Sequence, residues 1–358
     1  MLRAHPWIAV AATCALSAPV LAQTPIPGMS IKEAPQAFGA NRVPTAGPSV
    51  IDHHVHILSP RLVADWKSLG VPFSRPDSIY TSAASLLEGD RATAGQAILV
   101  PMAHLYGMAD FREAIKLSLE DEATRVRGEN RYVAGEAARY PGQAVALCSV
   151  AVFRPYADQE IQWCRDSLHS AGLKVHLAAS GADLSDEAQL GRLAALFAMA
   201  EAEHLPVLLH FDPQRRGLEV GDVERFITRV VDPHPGLELY LAHLGGSGGF
   251  EAWTQSVFRV FREWIGRNPD RPVFVEVSAA LLEEESEGVP ATTEAEGLAL
   301  GEALRAVGLA RVVFGSDYPV FNPRRYAAAL AARTGLSPEE LRSVLANRGP
   351  RLIPRTPD

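Results

Sequence analysis

The chain has 358 residues, of which 47% are hydrophobic and 21% are charged, and its formal net charge is -8. This composition excludes a disordered chain, a collagen-like fibre and a small disulfide scaffold. The mild negative charge, without basic tracts, argues against nucleic-acid binding and against electrostatic attachment to a membrane surface.

The first 22 residues have the pattern of a secretory signal peptide. Arg3 supplies a positive start, an apolar stretch runs from Ile8 to Leu21, and small residues precede the expected cleavage site before Gln23. The apolar stretch has 14 residues, whereas roughly 20 are needed to span a bilayer. We therefore expect a periplasmic or secreted protein without a stable membrane anchor.

Two segments follow the predicted signal peptide. Residues 23–47 are rich in Pro, Gly and Ala and are expected to form an extended lead-in, and residues 48–358 are expected to form one domain. Beyond residue 22 the chain contains two cysteines, Cys148 in a strand-like run and Cys164 in a helix-like one. An exported protein permits a disulfide, but two buried free thiols are the preferred interpretation.

Eight short runs of apolar and β-branched residues are predicted as strands. In chain order they are Ser49–His56, Gln96–Met102, Gln143–Val152, Gly172–Leu177, Pro206–Phe211, Leu237–His243, Pro272–Ser278 and Arg311–Ser316. Helix-like segments follow most of them, among them Glu187–Glu203, Asp222–Val230, Glu251–Arg267 and Thr293–Val307. A last helix, Ser337–Asn347, begins with a serine N-cap followed by proline, and Arg112–Tyr140 is predicted as one long helix or two.

This alternation of strands and helices predicts an α/β fold with a parallel sheet. Eight units over about 300 residues suit a single (β/α)8 TIM barrel. The alternative, an open doubly wound sheet, usually has a glycine-rich phosphate loop after its first strand, whereas the first strand here ends in histidines. The glycine cluster at residues 245–249 follows the sixth strand and lacks the spacing of such a loop.

The predicted strands end in side chains that commonly bind metals. His54 and His56 are two residues apart in the first strand, so they share a face and are able to bind one ion. Similar residues end later strands: Lys174 and His176 in the fourth, His210 in the fifth, His243 in the sixth and Asp317 after the eighth. His53 has the opposite parity, so it is expected to face the helices and to be structural.

The intervals between these residues match the length of a βα unit. From Lys174 to His210 is 36 residues, from His210 to His243 is 33, and from His243 to Asp317 is 74, about two units. In a barrel the carboxyl ends of the strands converge on the face that carries active sites. A lone strand-end histidine is usually structural, but the joint pattern predicts a divalent metal, zinc first and otherwise manganese or iron.

On these residues the chain resembles the amidohydrolase superfamily, in particular its amidohydrolase-related (amidohydrolase 2) branch. The segments that carry the resemblance are IDHHVH, GLKVH, VLLH, YLAHLGG and VVFGSDYP, together with ENRYVAGEAARYPGQAVALCSV. The resemblance covers about residues 48–355, nearly all of the expected mature chain. The resemblance implies that His54, His56 and His210 are metal ligands and that Asp317 is both a ligand and a proton shuttle.

The resemblance leaves open whether one or two ions bind. His243 corresponds to a residue that either binds a second metal or hydrogen-bonds the reacting group, so it is also a catalytic candidate. Lys174 stands where two-metal members carry a carboxylated lysine, and it is a ligand only in that case. Homo-oligomers are common in the superfamily, so a homodimer is compatible with the resemblance.

Four residues are candidate substrate contacts. His176 either lines the pocket or fills the barrel, and Tyr318 either contacts substrate or packs at the turn after the eighth strand. Arg154 and Arg215 lie in loops after the third and fifth strands, where they either clamp a carboxylate or remain solvated charges. Glu276 in the seventh strand is compatible with the barrel interior or with the site.

The preferred function is a metal-dependent hydrolase that cleaves an amide, ester or lactone of a small molecule. The metal lowers the pKa of its bound water toward about 7, Asp317 accepts a proton, and His243 or the metal stabilises the oxyanion. The alternative is a metal-dependent, non-oxidative decarboxylase of an aromatic or unsaturated acid, because the resemblance extends to such enzymes. A non-catalytic barrel that binds metal or ligand is disfavoured by the intact ligand set.

Overall fold

The fold of the chain is given by a computed structural model that describes residues 50–88, 93–211, 219–285 and 289–350. The expected signal peptide at residues 1–22 and the expected lead-in at residues 23–47 lie outside these ranges, so both stay predictions. Among the described helices, none has the length and apolar character that crossing a membrane requires.

Parallel strands form the centre of the fold. The described ranges contain β1 Ile51–Val55, β2 Gln96–Leu99, β3 Ala144–Ala146, β4 Cys148–Ser149, β5 Leu173–His176, β6 Val207–His210, β7 Leu239–Leu241, β8 Val273–Glu276 and β9 Val312–Val313. All eight predicted strands are present, and the third is divided at Leu147 into β3 and β4. The hydrogen-bonded order is β1-β2-β3 in one sheet and β4 through β9 in the other.

The two sheets form one barrel. β3 and β4 are consecutive parts of one strand, separated only by Leu147. At the other seam, His53 N donates to Phe314 O at 2.9 Å and His56 N donates to Tyr318 O at 2.7 Å, which places the segment after β9 beside β1. The predicted (β/α)8 barrel is confirmed.

Helices cover the outside of the barrel. Their bounds are α1 Pro60–Ser68, α2 Asp77–Thr81, α3 Ala84–Leu87, α4 Ala109–Ala114, α5 Leu119–Ala138, α6 Ala157–Trp163, α7 Leu177–Ser180, α8 Glu187–Ala202, α9 Val220–Phe226, α10 Ala252–Arg267, α11 Glu294–Val307, α12 Pro323–Arg333 and α13 Pro338–Leu345. Wider π-helical turns at Cys164–Leu168 and Ile227–Val231 continue α6 and α9, and short 3-10 turns lie at Ala103–Gly107, Ala242–Gly245 and Leu309–Arg311. The region predicted as one long helix or two is two helices, α4 and α5.

Capping residues set where several helices begin. At the start of α13, Glu340 N donates to Ser337 Oγ at 3.2 Å and Ser337 N donates to Glu340 Oε2 at 2.7 Å. Thr293 and Glu296 make the same reciprocal pair at the start of α11. Each pair satisfies backbone N–H groups that have no partner inside the helix, and the predicted N-cap at Ser337 is confirmed.

Strand residues alternate between two apolar layers. In β6, Val207 and Leu209 pack in the outer layer against the helices, while Leu208 lies inside the barrel with Tyr240 and Val313. The strands are therefore buried on both faces, as expected for a parallel sheet.

The prediction that His53 faces the helices is wrong. Its ring stacks on the interior residue Tyr240, with 6.0 Å between ring centroids. The register of β1 against β2 shifts between Asp52 and Val55, so the consecutive residues His53 and His54 both point inward. The ring nitrogens of His53 lie 3.1 and 3.2 Å from backbone carbonyl oxygens, which is the structural role that was expected of it.

The preference for two free thiols is also wrong, because Cys148 and Cys164 form a disulfide. Cys148 is in β4, and Cys164 follows α6 on the helix that packs back over that strand. This return brings the two Cα atoms to 6.1 Å, within the range that a disulfide spans. Both residues are fully buried.

Candidate metal centre

Six imidazole rings line the mouth of the barrel, where the strands end at their carboxyl side. Neighbouring ring centroids lie 3.8 to 5.1 Å apart along the series His56, His54, His243, His210, His176 and His104. Each of these residues is at most 5% exposed. We call this series the histidine arc.

Predicted ligands from the two ends of the chain meet at the β1–β9 seam. Asp317 Oδ1 lies 3.2 Å from His56 Nε2 and 3.6 Å from His54 Nε2. One ligand atom from each of the three residues lies within 4.8 Å of the others. Lys174 Nζ lies 3.1 Å from His54 Nε2, so the lysine amine borders this cluster.

The protonation of the cluster favours a cation. His56 Nδ1 lies 2.9 Å from the carbonyl oxygen of Val100, which only accepts, so Nδ1 carries a proton and Nε2, which faces Asp317, is the nitrogen that would bind an ion. Burial lowers the pKa of His54 well below its ordinary value, so this ring is neutral. Among the described residues, none donates a hydrogen bond of ordinary geometry to the buried Asp317 Oδ1. Two imidazole lone pairs and a carboxylate at these distances fit a divalent metal ion.

Glu276 supports the cluster from the opposite side of the His54 ring. Its Oε2 lies 3.0 Å from His54 Nδ1, and burial raises the pKa of Glu276 to about 8. Ser278 Oγ donates to the same carboxyl oxygen at 2.8 Å, and Ser278 O lies 3.0 Å from His243 Nδ1. When His54 Nε2 binds an ion, Nδ1 carries the ring proton and donates a hydrogen bond to Glu276 Oε2, which fixes the ring.

The other predicted histidine ligands lie farther along the arc. Burial lowers the pKa of His243 to about 4 and that of His210 well below its ordinary value, so both rings are neutral. His54, His243 and Glu276 form a second group whose ligand atoms lie within 4.8 Å of one another. Ligation by His210, His243 and Lys174 stays a prediction, as does the number of ions.

Two of the candidate residues occupy an unusual backbone conformation. His243 and Asp317 have φ values of 52° and 58°, in the left-handed region that residues with a Cβ rarely adopt and that recurs at functional sites.

Asp52 holds the residue before Asp317, because Ser316 donates to it from N at 2.9 Å and from Oγ at 2.6 Å.

Gly315 leaves room for the carboxyl group of Glu276. A Cβ at this position would lie 1.9 Å from Glu276 Oε1 and 3.0 Å from His54 Cβ. The segment that carries Asp317 therefore passes beside Glu276 only because residue 315 has no side chain.

The predicted substrate contacts occupy different surroundings. His176 lies on the histidine arc, where its ring stacks on that of His210 at 3.8 Å. The Tyr318 hydroxyl lies 2.6 Å from Ser85 Oγ, and Arg154 donates twice to Glu122, at 2.7 and 2.8 Å. Arg215 lies outside the described residues. The roles of these residues in substrate binding stay predictions.

Sequence reasoning missed His104 and left Glu276 ambiguous. His104 lies two residues beyond the predicted second strand, in the 3-10 turn that follows β2, so the available signal was another histidine near a strand end. Glu276 is the last residue of β8, so the available signal was again a polar side chain at a strand end, here a carboxylate.

Comparison with known proteins gives a family and a fold. The family model described as Amidohydrolase matches residues 51–347. A search of curated proteins finds no significant match.

Three solved structures have similar folds at low identity. A candidate amidohydrolase from Staphylococcus aureus is 15% identical, with a TM-score of 0.56 and coverage of 85% of this chain and 99% of that one. A dihydroxybenzoic acid decarboxylase from Polaromonas sp. JS666, with bound manganese and the inhibitor 2-nitroresorcinol, is 15% identical, with a TM-score of 0.55 and coverage of 83% and 94%. The 5-carboxyvanillate decarboxylase from Sphingomonas paucimobilis is 16% identical, with a TM-score of 0.54 and coverage of 84% and 97%.

At these identities the solved structures establish the barrel fold alone. The family match extends over most of the chain and includes every residue of the His54–His56–Asp317 cluster. The chain therefore belongs to the amidohydrolase family.

Proposed function

We propose that this protein is a metal-dependent, non-oxidative decarboxylase of an aromatic or unsaturated acid. The observation that carries the proposal is the buried cluster of His54, His56 and Asp317 with Lys174 Nζ 3.1 Å from His54 Nε2. It combines a cation site with an ammonium group, and a carboxylate substrate is attracted to both.

The preference for hydrolysis expressed from the sequence is wrong. Several solved structures of similar fold are decarboxylases, among them enzymes that act on 2,6-dihydroxybenzoate and 5-carboxyvanillate. Decarboxylation is the alternative function that the sequence analysis gave, and the ligand pattern of the family is compatible with it. We therefore propose decarboxylation as the main function.

In the proposed reaction a carboxylate carbon leaves as carbon dioxide and a proton takes its place on the substrate carbon. His54, His56 and Asp317 would hold the ion, which supplies positive charge that orients the acid and withdraws electron density from it. Lys174 Nζ binds an oxygen of the carboxylate. Asp317 is assigned the proton transfer, because its carboxyl group lies at the ion cluster with the side chains of His56 and His54 beside it. It takes up a proton from solvent water and delivers it to the substrate carbon, whose bond to the carboxylate breaks as carbon dioxide leaves.

His243 and His210 are assigned to the same site as neutral imidazoles. His243 Nδ1 faces the carbonyl oxygen of Ser278 at 3.0 Å, so that nitrogen carries the proton and Nε2 is able to accept one. Both rings are at most 5% exposed, and a substrate that displaces water from such a buried site loses its carboxylate group more readily. Manganese and zinc both suit this set of nitrogen and oxygen ligands, and zinc stays a prediction.

Export of the enzyme is a further part of the proposal. The Cys148–Cys164 disulfide supports it, because disulfides form and persist in oxidising compartments such as the periplasm. The N-terminal sequence of the mature protein tests it, with Gln23 as the expected first residue. We also propose that the enzyme acts on a small molecule as a homodimer, which sedimentation of the purified protein tests.

Carbon dioxide release tests the proposed activity directly. The manganese-loaded protein is incubated with 2,6-dihydroxybenzoate, 5-carboxyvanillate and an unsaturated dicarboxylic acid, and released carbon dioxide is followed by membrane-inlet mass spectrometry. We expect release from at least one acid, its loss in Asp317→Asn, and its retention in the exposed control Asp270→Asn. Absence of carbon dioxide from every acid with fully loaded protein would refute decarboxylation.

A further inference from the structure

We propose that His104 is a ligand-binding residue whose Nε2–H donates a hydrogen bond to an oxygen atom of the bound acid. The inference rests on the proposed function, since it assigns a contact to the acid that this function requires. It goes beyond the predicted site residues, because the contact lies at the second strand, from which none of them comes.

The first observation is a buried polar atom without a partner. His104 is 1% exposed, and its Nε2 has no hydrogen-bond partner among the described residues. Buried polar side-chain atoms in folded proteins are nearly always hydrogen-bonded, so an exception calls for a cause such as a ligand.

The second observation is the position of the ring at the barrel mouth. His104 ends the histidine arc, with its ring centroid 5.1 Å from that of His176. Burial, together with the nearby charges of Lys174 and then His56, lowers the pKa of His104 well below its ordinary value. The ring is therefore neutral, and it lies close enough to Lys174 and His56 for their charges to act on it.

The tautomer of His104 follows from its contact with Ser149. Ser149 Oγ lies 2.7 Å from His104 Nδ1 and accepts a long hydrogen bond from His104 N at 3.4 Å. Among the described residues, Nδ1 is the only acceptor within reach of the Ser149 hydroxyl hydrogen. Ser149 therefore donates to Nδ1, and Nε2 carries the proton of the neutral ring. An N–H group is not a metal ligand, but it is a hydrogen-bond donor.

A buried network holds this donor in place. Asn130 Nδ2 donates to Ser149 O at 3.0 Å, and Ser149 N donates to Asn130 Oδ1 at 2.9 Å. Asn130 also donates to Glu160 Oε1 at 3.2 Å, which ties α5 to α6. The network therefore fixes one direction for the Nε2–H donor before a ligand arrives, as a pre-organised binding site requires.

The chemistry of the donor limits what it binds. A neutral N–H pairs with an oxygen acceptor, and Lys174, whose charge acts on the His104 ring, attracts an anion to the same site. The acceptor is thus either a carboxylate oxygen or a hydroxyl oxygen of the acid, and the two cases are separable by ligands that differ in one group.

Binding of three small ligands to the manganese-loaded full-length protein tests the inference. Benzoate offers a carboxylate alone, while 2-nitrophenol and 2-nitroresorcinol differ by one hydroxyl group. Dissociation constants are measured by isothermal titration calorimetry for the wild type, His104→Phe and His104→Gln. The control is His204→Asn, at an exposed histidine with a left-handed backbone that asparagine tolerates.

We expect His104→Phe to weaken binding by about tenfold, the effect of leaving one hydrogen bond unmade. Weakening of 2-nitroresorcinol alone, or of both phenols with benzoate unchanged, assigns a ring hydroxyl as the acceptor. Weakening shared by all three ligands assigns the carboxylate or nitro group. His104→Gln, which keeps an N–H donor, is expected to retain part of the affinity, and the control all of it.

The inference is overturned if His104→Phe binds all three ligands as tightly as the wild type, or if the wild type binds none of them. Carbon dioxide release by the same preparations reports separately on the proposed function. A wild type that binds through His104 but releases no carbon dioxide overturns the decarboxylase and keeps the binding residue. A wild type that releases carbon dioxide while binding is indifferent to His104 overturns this inference alone.

Discussion

Breaking the Cys148–Cys164 disulfide should lower the free energy of unfolding. The two cysteines are 16 residues apart, and closing a loop of about that length restricts the unfolded chain by roughly 3 kcal/mol at 25 °C. Both residues are buried between β4 and α6, so reduction alone separates the effect of the cross-link from the effect of packing.

Urea unfolding followed by circular dichroism measures this change. The oxidised protein, the protein reduced with dithiothreitol and the Cys148→Ala/Cys164→Ala double variant are compared. We expect the reduced protein to be less stable than the oxidised one by about 3 kcal/mol, and the double variant to gain or lose nothing on addition of dithiothreitol. Equal unfolding of oxidised and reduced wild type, or two titratable thiols in the oxidised mature protein, would refute the reasoning.

Two further substitutions test the packing of the site and of a buried carboxyl group. Gly315→Ala would place a Cβ 1.9 Å from Glu276 Oε1 and 3.0 Å from His54 Cβ, so we expect it to lower the free energy of unfolding by about 1–3 kcal/mol and to reduce bound metal. The matched control Gly128→Ala has open space around the added Cβ. If thermal unfolding shows Gly315→Ala to be as stable as this control and the wild type, the expected steric conflict at residue 315 is wrong. Burial raises the pKa of Glu129 from 4.5 to about 7. Between these two pH values the folded state keeps a proton that the unfolded state has released. The contribution of Glu129 to wild-type stability therefore falls as the pH rises from about 4.5 to about 7. We expect Glu129→Gln to remove this contribution, so that the free energy of unfolding of the variant rises by up to about 3 kcal/mol relative to the wild type across that pH range. A difference in urea unfolding that does not change with pH would show the prediction to be wrong.

The sequence predicts the barrel and part of its site for identifiable reasons. Strand alternation places His54 and His56 on one face, and the regular length of the βα units places His210 and His243 at the ends of successive strands. The approach of Asp317 to His56 requires only that the barrel closes between its first and last strands.

What the sequence did not predict depends on three-dimensional details. The register shift in β1 that turns His53 inward has no local signal in the residue pattern. The disulfide depends on how the helix carrying Cys164 packs over the strand carrying Cys148. His104 follows its strand in a 3-10 turn, so neither strand nor helix periodicity relates it to the site. The ligand pattern itself is shared by enzymes of different chemistry, which is why it favoured the wrong reaction.

The most direct test of the account is the metal content of the purified protein. Wild type and His56→Gln, prepared without chelator and then incubated with manganese, are desalted and measured by inductively coupled plasma mass spectrometry. The account predicts at least about one equivalent of a divalent transition metal in the wild type and a small fraction of that in the variant, because Gln lacks the imidazole lone pair that faces Asp317. Metal-free wild type after this loading, or equal metal in both proteins, would contradict the proposed centre.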